Sequence, residues 1–173
     1  MKKAIFFIIT IYSIISTGYA QRSGLHEKYG NTFNMGLGIG YYGYAEQSMP
    51  VLHFNYEFDV AKDFTLAPFI TFYSYQQNRY HQTVVPIGVK GSYYFDKLVK
   101  ADSKWDFYLA GSLGFALINT RWDDGYEGKL SHNEGAGPLY LDLHIGTEYH
   151  FNNKIGAFLD LSTGVSTIGL SIH

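Results

Sequence analysis

The sequence predicts an all-β fold, an eight-stranded antiparallel up-and-down transmembrane β-barrel. Three observations predict it: eight segments with alternating apolar and polar residues, an aromatic content of 18%, and no apolar run after the N-terminus long enough for a membrane helix. Aromatic residues favour strands, and tyrosine favours boundaries between apolar and aqueous surroundings. The 16 Tyr, 13 Phe and 19 Gly, with only 4 Pro, therefore indicate closely packed strands joined by turns.

Length, charge and cysteine content exclude several classes of protein. The 173 residues suffice for one domain. A formal net charge of −2 gives no electrostatic footprint for nucleic acid, so we expect no nucleic-acid partner. Without cysteine there are neither disulfides nor thiolate metal sites, and the residues predict no cofactor.

The N-terminus has the three-part layout of a secretory signal peptide. Lys2 and Lys3 supply positive charge, residues 4–15 are apolar, and small residues lead up to Ala20. The apolar run of about a dozen residues is shorter than the ~20 that span a bilayer as a helix, which argues against a retained anchor. We therefore predict a signal peptide over 1–20, cleavage between Ala20 and Gln21, an N-terminal lead over 21–30 and the barrel over 31–173.

The first four segments are TFNMGLGIGYYGY, VLHFNYEFDV, FTLAPFITFYSY and VVPIGVKGSYYF, and all but the third separate apolar from polar residues. The third is aromatic on both faces, and its sides stay unassigned. The opposed faces are Phe33, Met35, Leu37, Ile39 and Tyr41 against Asn34, Gly36, Gly38 and Gly40; Leu52, Phe54, Tyr56 and Phe58 against His53, Asn55, Glu57 and Asp59; and Val85, Ile87, Val89, Tyr93 and Phe95 against Gly88, Lys90, Ser92 and Tyr94.

The last four segments, DFYLAGSLGFAL, LYLDLHIGTEYHF, IGAFLDLST and VSTIGLSIH, alternate in the same way. The opposed faces are Phe107, Leu109, Leu113, Phe115 and Leu117 against Tyr108, Ala110, Ser112, Gly114 and Ala116; Leu139, Leu141, Leu143 and Ile145 against Tyr140, Asp142, His144, Glu148 and His150; Ala157, Leu159 and Leu161 against Gly156, Asp160 and Ser162; and Ile168, Leu170 and Ile172 against Thr167, Gly169, Ser171 and His173. Each strand should have roughly ten residues, enough to cross a bilayer when tilted.

The connections show the rhythm of a meander. Longer polar connections follow segments one, three and five, shorter ones follow two, four and six, and a tight Thr163-Gly164 link joins the last two. This rhythm is typical of an up-and-down barrel.

The same alternation fits a soluble ligand-binding barrel with apolar residues inside, so the two faces must be compared. The polar face is unusually small, which suits a narrow eight-stranded interior better than a convex outer surface. Its small members are Gly36, Gly38, Gly88, Ser92, Ala110, Ser112, Gly114, Gly146 and Gly169. The composition of this face favours the membrane barrel.

Aromatic pairs close the apolar face of segments two, four and six. These pairs are Tyr56/Phe58, Tyr93/Phe95 and Tyr149/Phe151. Because these three strands run in the same direction, the pairs form one ring at one rim, as in the aromatic girdle at a membrane interface. Cross-strand stacking in a soluble barrel is the alternative.

The stretches VPIGVKGSYYF and GAFLDLSTGVSTIGLSIH and the Tyr/Phe-rich repeats resemble small outer-membrane β-barrel proteins of Gram-negative bacteria, the OmpX/OmpA-like, porin-family-like group. The resemblance implies a monomer in the outer membrane, in contact with its lipid and lipopolysaccharide and inserted by the barrel-assembly machinery. It places the lead, the short turns and the girdle in the periplasm. Tyr41, Tyr44, Tyr73, Tyr75 and Trp122 then serve the outer rim. The sequence departs from the aromatic ending usual in the group, because it ends with Ile172 and His173.

The polar face predicts a charged network in the lumen. Its members are Glu57, Asp59, Lys90, Asp142, His144, Glu148 and Asp160. Because buried charges must be paired, a filled polar lumen is favoured over a narrow water path. A metal site at His144, His150 and Glu148 is conceivable. Same-face neighbours lie about 7 Å apart, however, which favours separate partners, and we predict no metal.

The remaining candidates for chemistry lie in the longest connection, residues 119–137. Ser131-His132-Asn133-Glu134 has the residue types of a hydrolase, but neighbouring residues on a strand point in opposite directions. Asp123-Asp124-Gly125-Tyr126-Glu127 lacks the regular ligand spacing of a calcium loop. We therefore predict a non-enzymatic structural or surface-interaction role, with this loop as a contact surface for an unspecified ligand. A porin-like channel and a lipid-modifying barrel enzyme, a lipid A deacylase or acyltransferase, are the alternatives.

Overall fold

The computed structural model describes residues 29–41, 48–77, 80–122 and 139–173. The predicted signal peptide, its cleavage position at Ala20 and Gln21, and most of the lead lie outside these residues, so these stay predictions. Within the described ranges, no helix is long and apolar enough to cross a membrane.

Eight antiparallel strands form a closed barrel in which each strand pairs with the next in the chain and β1 pairs with β8. The strands are β1 Thr32–Tyr41, β2 Ser48–Ala61, β3 Phe64–Gln77, β4 Tyr80–Tyr94, β5 Trp105–Trp122, β6 Leu139–Asn152, β7 Ile155–Ser162 and β8 Val165–Ile172. A single helical turn, α1 Asp96–Val99, stands between β4 and β5. The predicted fold class is confirmed.

The two ends of the barrel differ. We call the end that carries the connections 62–63, 95–104 and 153–154 the short-turn end, and residues 29–31 and His173 lie there as well. The opposite, long-connection end carries the links 42–47, 78–79, 123–138 and 163–164.

The strands are less uniform than the expected ten residues. β5 has 18 residues, whereas β7 and β8 have 8 each. The pairing of β3, β4 and β5 continues toward the long-connection end beyond the apolar residues, through Ser74 with Thr83 and Thr83 with Asn119. These side chains are exposed and polar, so this part of the wall faces water.

Outward-facing side chains form an apolar surface around the barrel. Leu37, Leu141 and Ile168 are 66%, 72% and 62% exposed. A soluble protein does not expose apolar surface on every strand, whereas lipid accommodates it. The outer face is therefore that of a membrane-spanning barrel.

The structure assigns the faces of β3, which the sequence left open. Thr65, Ala67, Phe69, Thr71 and Tyr73 are buried in the lumen. Phe72 lies on the outer face and is 40% exposed.

Glycines in the lumen make room for large side chains from neighbouring strands. A Cβ at Gly146 would lie 2.1 Å from the ring of Tyr108. Cβ atoms at Gly36 and Gly169 would lie 2.8 and 2.7 Å from the ring of Phe158. The small polar face thus matches the width of the barrel.

Gly146→Ala should destabilise the barrel, because the added methyl occupies the space of the Tyr108 ring. Overpacking of this kind costs about 1–3 kcal/mol. Gly111→Ala is the matched control, since its Cβ would point outward with its nearest neighbours 3.9 Å away. Urea unfolding of both refolded variants measures the difference, and equal stability would contradict the packing described.

Candidate functional site

Two layers of buried side chains cross the lumen in the described part of the barrel. An apolar layer toward the long-connection end consists of Met49, Val51, Phe69, Tyr73, Val84, Ala116, Tyr140 and Val165. Tyr29, Tyr94, Tyr108 and Ala110 form a second layer toward the short-turn end. Lys90 lies between the two layers, since β4 contributes Val84 to the first and Tyr94 to the second.

An ion pair between Lys90 and Asp160 is the centre of the charged region. Lys90 Nζ lies 3.2 Å from Asp160 Oδ2, and the two side chains are 6% and 4% exposed. The Tyr108 hydroxyl donates to the same oxygen at 2.8 Å, and Lys90 Nζ lies 5.1 Å from the Tyr108 ring centroid. Both charges therefore have partners, as burial requires.

His144 links Asp160 to Ser112. Its Nδ1 lies 2.7 Å from Asp160 Oδ1, so Nδ1 carries the proton and donates to the carboxylate. Nε2 then accepts a hydrogen bond from the Ser112 hydroxyl. The resulting order, serine to histidine to aspartate, is that of a hydrolase triad.

Asp142 holds the tight link between β7 and β8 rather than pairing with Lys90. Its carboxylate accepts hydrogen bonds from Ser162 Oγ at 2.8 Å, from Val165 N at 3.0 Å and from the Thr163 hydroxyl. It lies against Gly164, where a Cβ would be 2.9 Å from Oδ2. Asp142 therefore fixes a turn.

Glu57 is bound by hydroxyl groups. Tyr94 Oη donates to it at 2.7 Å and Ser92 Oγ at 3.3 Å. Tyr94 also stacks on Tyr29, with 4.0 Å between ring centroids, and the Tyr29 hydroxyl donates to Asp96 at 2.9 Å. Tyr29 is therefore buried in the lumen at the short-turn end.

Asp59 lies outside the predicted network. It is exposed at the short-turn end of β2, where its Oδ1 accepts hydrogen bonds from Tyr29 N at 3.2 Å and Gly30 N at 2.9 Å. Asp59 keeps the same phase as Asn55 and Glu57, because the pairing of β2 with β3 shifts only after it, between Asp59 and Ala61. It is exposed at the end of the strand, and alternation alone does not show where along a strand the buried lumen ends.

Glu148 belongs to a separate group at the short-turn end. Glu148 Oε1 lies 2.8 Å from His173 Nε2 and 3.8 Å from His150 Nδ1. His150 Nε2 lies 2.8 Å from Asp106 Oδ2. His173, which departs from the aromatic ending usual in the resembled group, is therefore an inward-facing polar residue.

The predicted girdle residues lie near the short-turn end. Tyr56, Tyr93 and Phe151 are exposed on the outer face, and Phe58, Phe95 and Tyr149 are half-buried. Trp105 adds to this ring, 4.8 Å from Tyr149 between centroids. Tyr73, expected at the outer rim, is instead 4% exposed in the lumen, because β3 points its odd-numbered residues inward.

Several predicted positions lie outside the described residues. These are Tyr44, residues 123–138 of the longest connection, and with them Ser131-His132-Asn133-Glu134 and the acidic stretch from Asp123.

The predicted charged network left out three of its partners: Tyr94 and Tyr108, which the sequence placed on the polar face, and Asp106, which it did not assign. Tyr94 and Tyr108 share the inward face with Lys90 and Ser112, and Asp106 shares it with Tyr108. Alternation therefore places all three inside the barrel. Their roles follow only from contacts between strands.

Comparisons with known proteins identify the architecture. No protein-family model matches the chain, and no curated protein matches it. Neisserial surface protein A (NspA) is similar in structure, with a TM-score of 0.58, 13% identity, and coverage of 82% of this chain and 94% of that one. A designed transmembrane β-barrel is similar with a TM-score of 0.50, 9% identity, and coverage of 84% of this chain and 98% of that one.

A third match is the Yersinia pestis outer membrane protein Ail, with a TM-score of 0.42, 10% identity, and coverage of 82% of this chain and 96% of that one. Identities this low establish fold alone. Through NspA and the designed barrel, the predicted resemblance to small transmembrane β-barrels is confirmed as a likeness of fold.

Lys90→Met should destabilise the barrel strongly, because Asp160 loses its cationic partner while it stays buried. Breaking a buried pair from one side costs about 3–5 kcal/mol. Lys97→Met is the matched control: Lys97 lies 2.8 Å from Asp63 but is 42% exposed, and exposed pairs contribute at most about 1 kcal/mol. Equal losses in equilibrium unfolding would show that the Lys90 pair is not a structural centre.

Proposed function

We propose that the chain is an outer-membrane barrel with a closed polar lumen and a structural or surface-interaction role. The observation that carries this proposal is the filling of the lumen by two side-chain layers with a paired ionic region between them. A barrel of eight strands has little interior beyond its side chains. Function then falls to the outer face and the long connections.

The likeness of fold to a Neisserial surface protein supports an outer-membrane location. Lipid and lipopolysaccharide are the partners that an apolar outer face calls for in that membrane, and the barrel-assembly machinery is the partner for insertion. The short-turn end, with the lead, then faces the periplasm. We propose a monomer, because the apolar face is spread around the barrel and is satisfied by lipid.

The long-connection end supports a role in surface contacts. β3, β4 and β5 extend past the apolar face with exposed polar side chains, among them Thr83, Asn119 and Arg121. Loops on a rigid scaffold are a common place for binding.

Conductance across a planar bilayer tests the closed lumen. The refolded chain, with folding verified by the mobility difference between unheated and boiled samples, should give no discrete openings. A larger pore-forming barrel in the same bilayer is the positive control. Steady openings whose ion selectivity changes on Lys90→Met would establish the porin-like alternative instead.

Ser112, His144 and Asp160 favour a second candidate, a hydrolytic barrel enzyme acting on lipid. Three observations weigh against it. Ser112 is 3% exposed. It is paired on both sides, with Lys90 and Asp142, so the strand ladders use the neighbouring amides that an oxyanion would need. Asp160 is also shared with Lys90.

A fluorophosphonate probe separates the two candidates. The folded barrel should remain unlabelled, because a buried serine without an oxyanion site is unreactive. A serine hydrolase in the same detergent verifies the probe. Labelling that Ser112→Ala abolishes and that Ser92→Ala leaves intact would establish the enzyme.

A further inference from the structure

Two histidines and a glutamate meet at the short-turn end of the lumen, apart from the Lys90–Asp160 pair. Glu148 and His150 stand on the inward face of β6, and His173 follows β8. One ligand atom from each lies within 4.8 Å of the others. We propose that Glu148, His150 and His173 form a binding site for a divalent transition-metal ion of the zinc class.

A hydrogen bond from Nε2 of His150 to Asp106 leaves Nδ1 of the same ring as the atom that can bind a metal. Asp106 Oδ2 lies 2.8 Å from His150 Nε2, and a carboxylate accepts only, so Nε2 carries the proton. In the neutral ring Nδ1 then has the lone pair, and this atom faces Glu148 at 3.8 Å.

His173 is held in the same way by Thr32. The Thr32 hydroxyl donates its one proton to the Tyr29 carbonyl at 3.1 Å, so it accepts from His173 Nδ1 at 2.9 Å. The lone pair of the neutral ring is therefore on Nε2, which faces Glu148 Oε1 at 2.8 Å.

A carboxylate oxygen 2.8 Å from an imidazole lone pair, as Glu148 Oε1 is from His173 Nε2, needs a cation between them. That cation is either an additional proton on a ring or a metal ion shared by all three groups. Metal-binding histidines in proteins donate their other N–H to a carboxylate or another oxygen, which fixes the ring and its tautomer. Asp106 and Thr32 supply such acceptors to both rings, and this favours the metal.

The spacing and surroundings also fit. With bonds of 2.0–2.1 Å, tetrahedral zinc separates its ligand atoms by about 3.3 Å. The distances from Glu148 Oε1 are 2.8 and 3.8 Å, and all three ligand atoms lie within 4.8 Å of one another, so a bound ion would draw the two rings together. Gly156 leaves the necessary room, because a Cβ there would lie 2.3 Å from Glu148 Oε1. The side chains of His150 and His173 are 23% and 18% exposed, which gives an ion access.

This inference replaces the prediction of no metal and changes the ligand set weighed in the sequence. His144 is used by Ser112 and Asp160. His173 takes the place of His144 in the ligand set. It follows β8, which pairs with β7 and not with β6, the strand that carries Glu148 and His150.

Zinc titration of the untagged, refolded barrel in detergent tests the proposal by calorimetry. Wild type should bind one Zn²⁺ per chain. Glu148→Gln, His150→Gln and His173→Gln should each weaken binding at least tenfold. His81→Gln is the control, since His81 is an exposed histidine on the outer face of β4, and its affinity should equal that of wild type.

Asp106→Asn and Thr32→Val keep all three ligands and should still weaken binding about 10–100-fold, the usual effect of removing an outer partner. Gel mobility of unheated samples verifies that each variant is folded. Failure of folded wild type to bind zinc would overturn the proposal and leave a protonated histidine beside Glu148. Affinity unchanged in Glu148→Gln and His173→Gln, or in both outer-partner variants, would overturn it equally.

Discussion

The width of an eight-stranded barrel is the constraint on which the rest of this structure depends. Closure of β1 on β8 pairs every strand on both sides and leaves no edge open to lipid. It also fixes an interior just wide enough for side chains. Each large inward residue therefore needs a small one across from it, as Tyr108 needs Gly146 and Phe158 needs Gly36 and Gly169. Glycine on the inner face is a packing requirement here.

Charges are tolerated in this narrow interior because side chains from several strands come close enough to pair with them. A lysine at this depth is costly unless an anion and further hydrogen bonds compensate for lost water. Asp160 supplies the anion, and Tyr108 and His144 bind its oxygens from β5 and β6. The network joins β4, β5, β6 and β7, so it holds the strands in register as well as neutralising the charge. Asp142 does the same locally for the β7–β8 link.

Most of the fold could be predicted because strand alternation is a local property with a period of two. It placed Lys90, Asp142 and Asp160 on the inner face before any pairing was known. The faces of β3 were ambiguous because Phe69 fills the lumen while Phe72 faces outward, and both are aromatic. The partners of Asp142 and His173 were out of reach, since they depend on register between strands far apart in the chain. Asp59 was assigned to the network because alternation does not show where along a strand the buried lumen ends, and Asp59 lies beyond that point, bound to Tyr29 N and Gly30 N.

Because the strands differ in length, the barrel wall is higher on one side than on the other. β5 has 18 residues and β8 has 8, a difference of ten. At roughly 3.3 Å per residue and a tilt of about 45°, those ten residues raise the β5 side on the order of 20 Å above the β8 side. At the long-connection end the barrel wall is therefore high and polar on the β5 side and low on the β8 side. Among the described strands, the wall at the long-connection end is therefore highest at β5 and lowest at β7 and β8, so a contact made with this wall depends on the side from which it is approached.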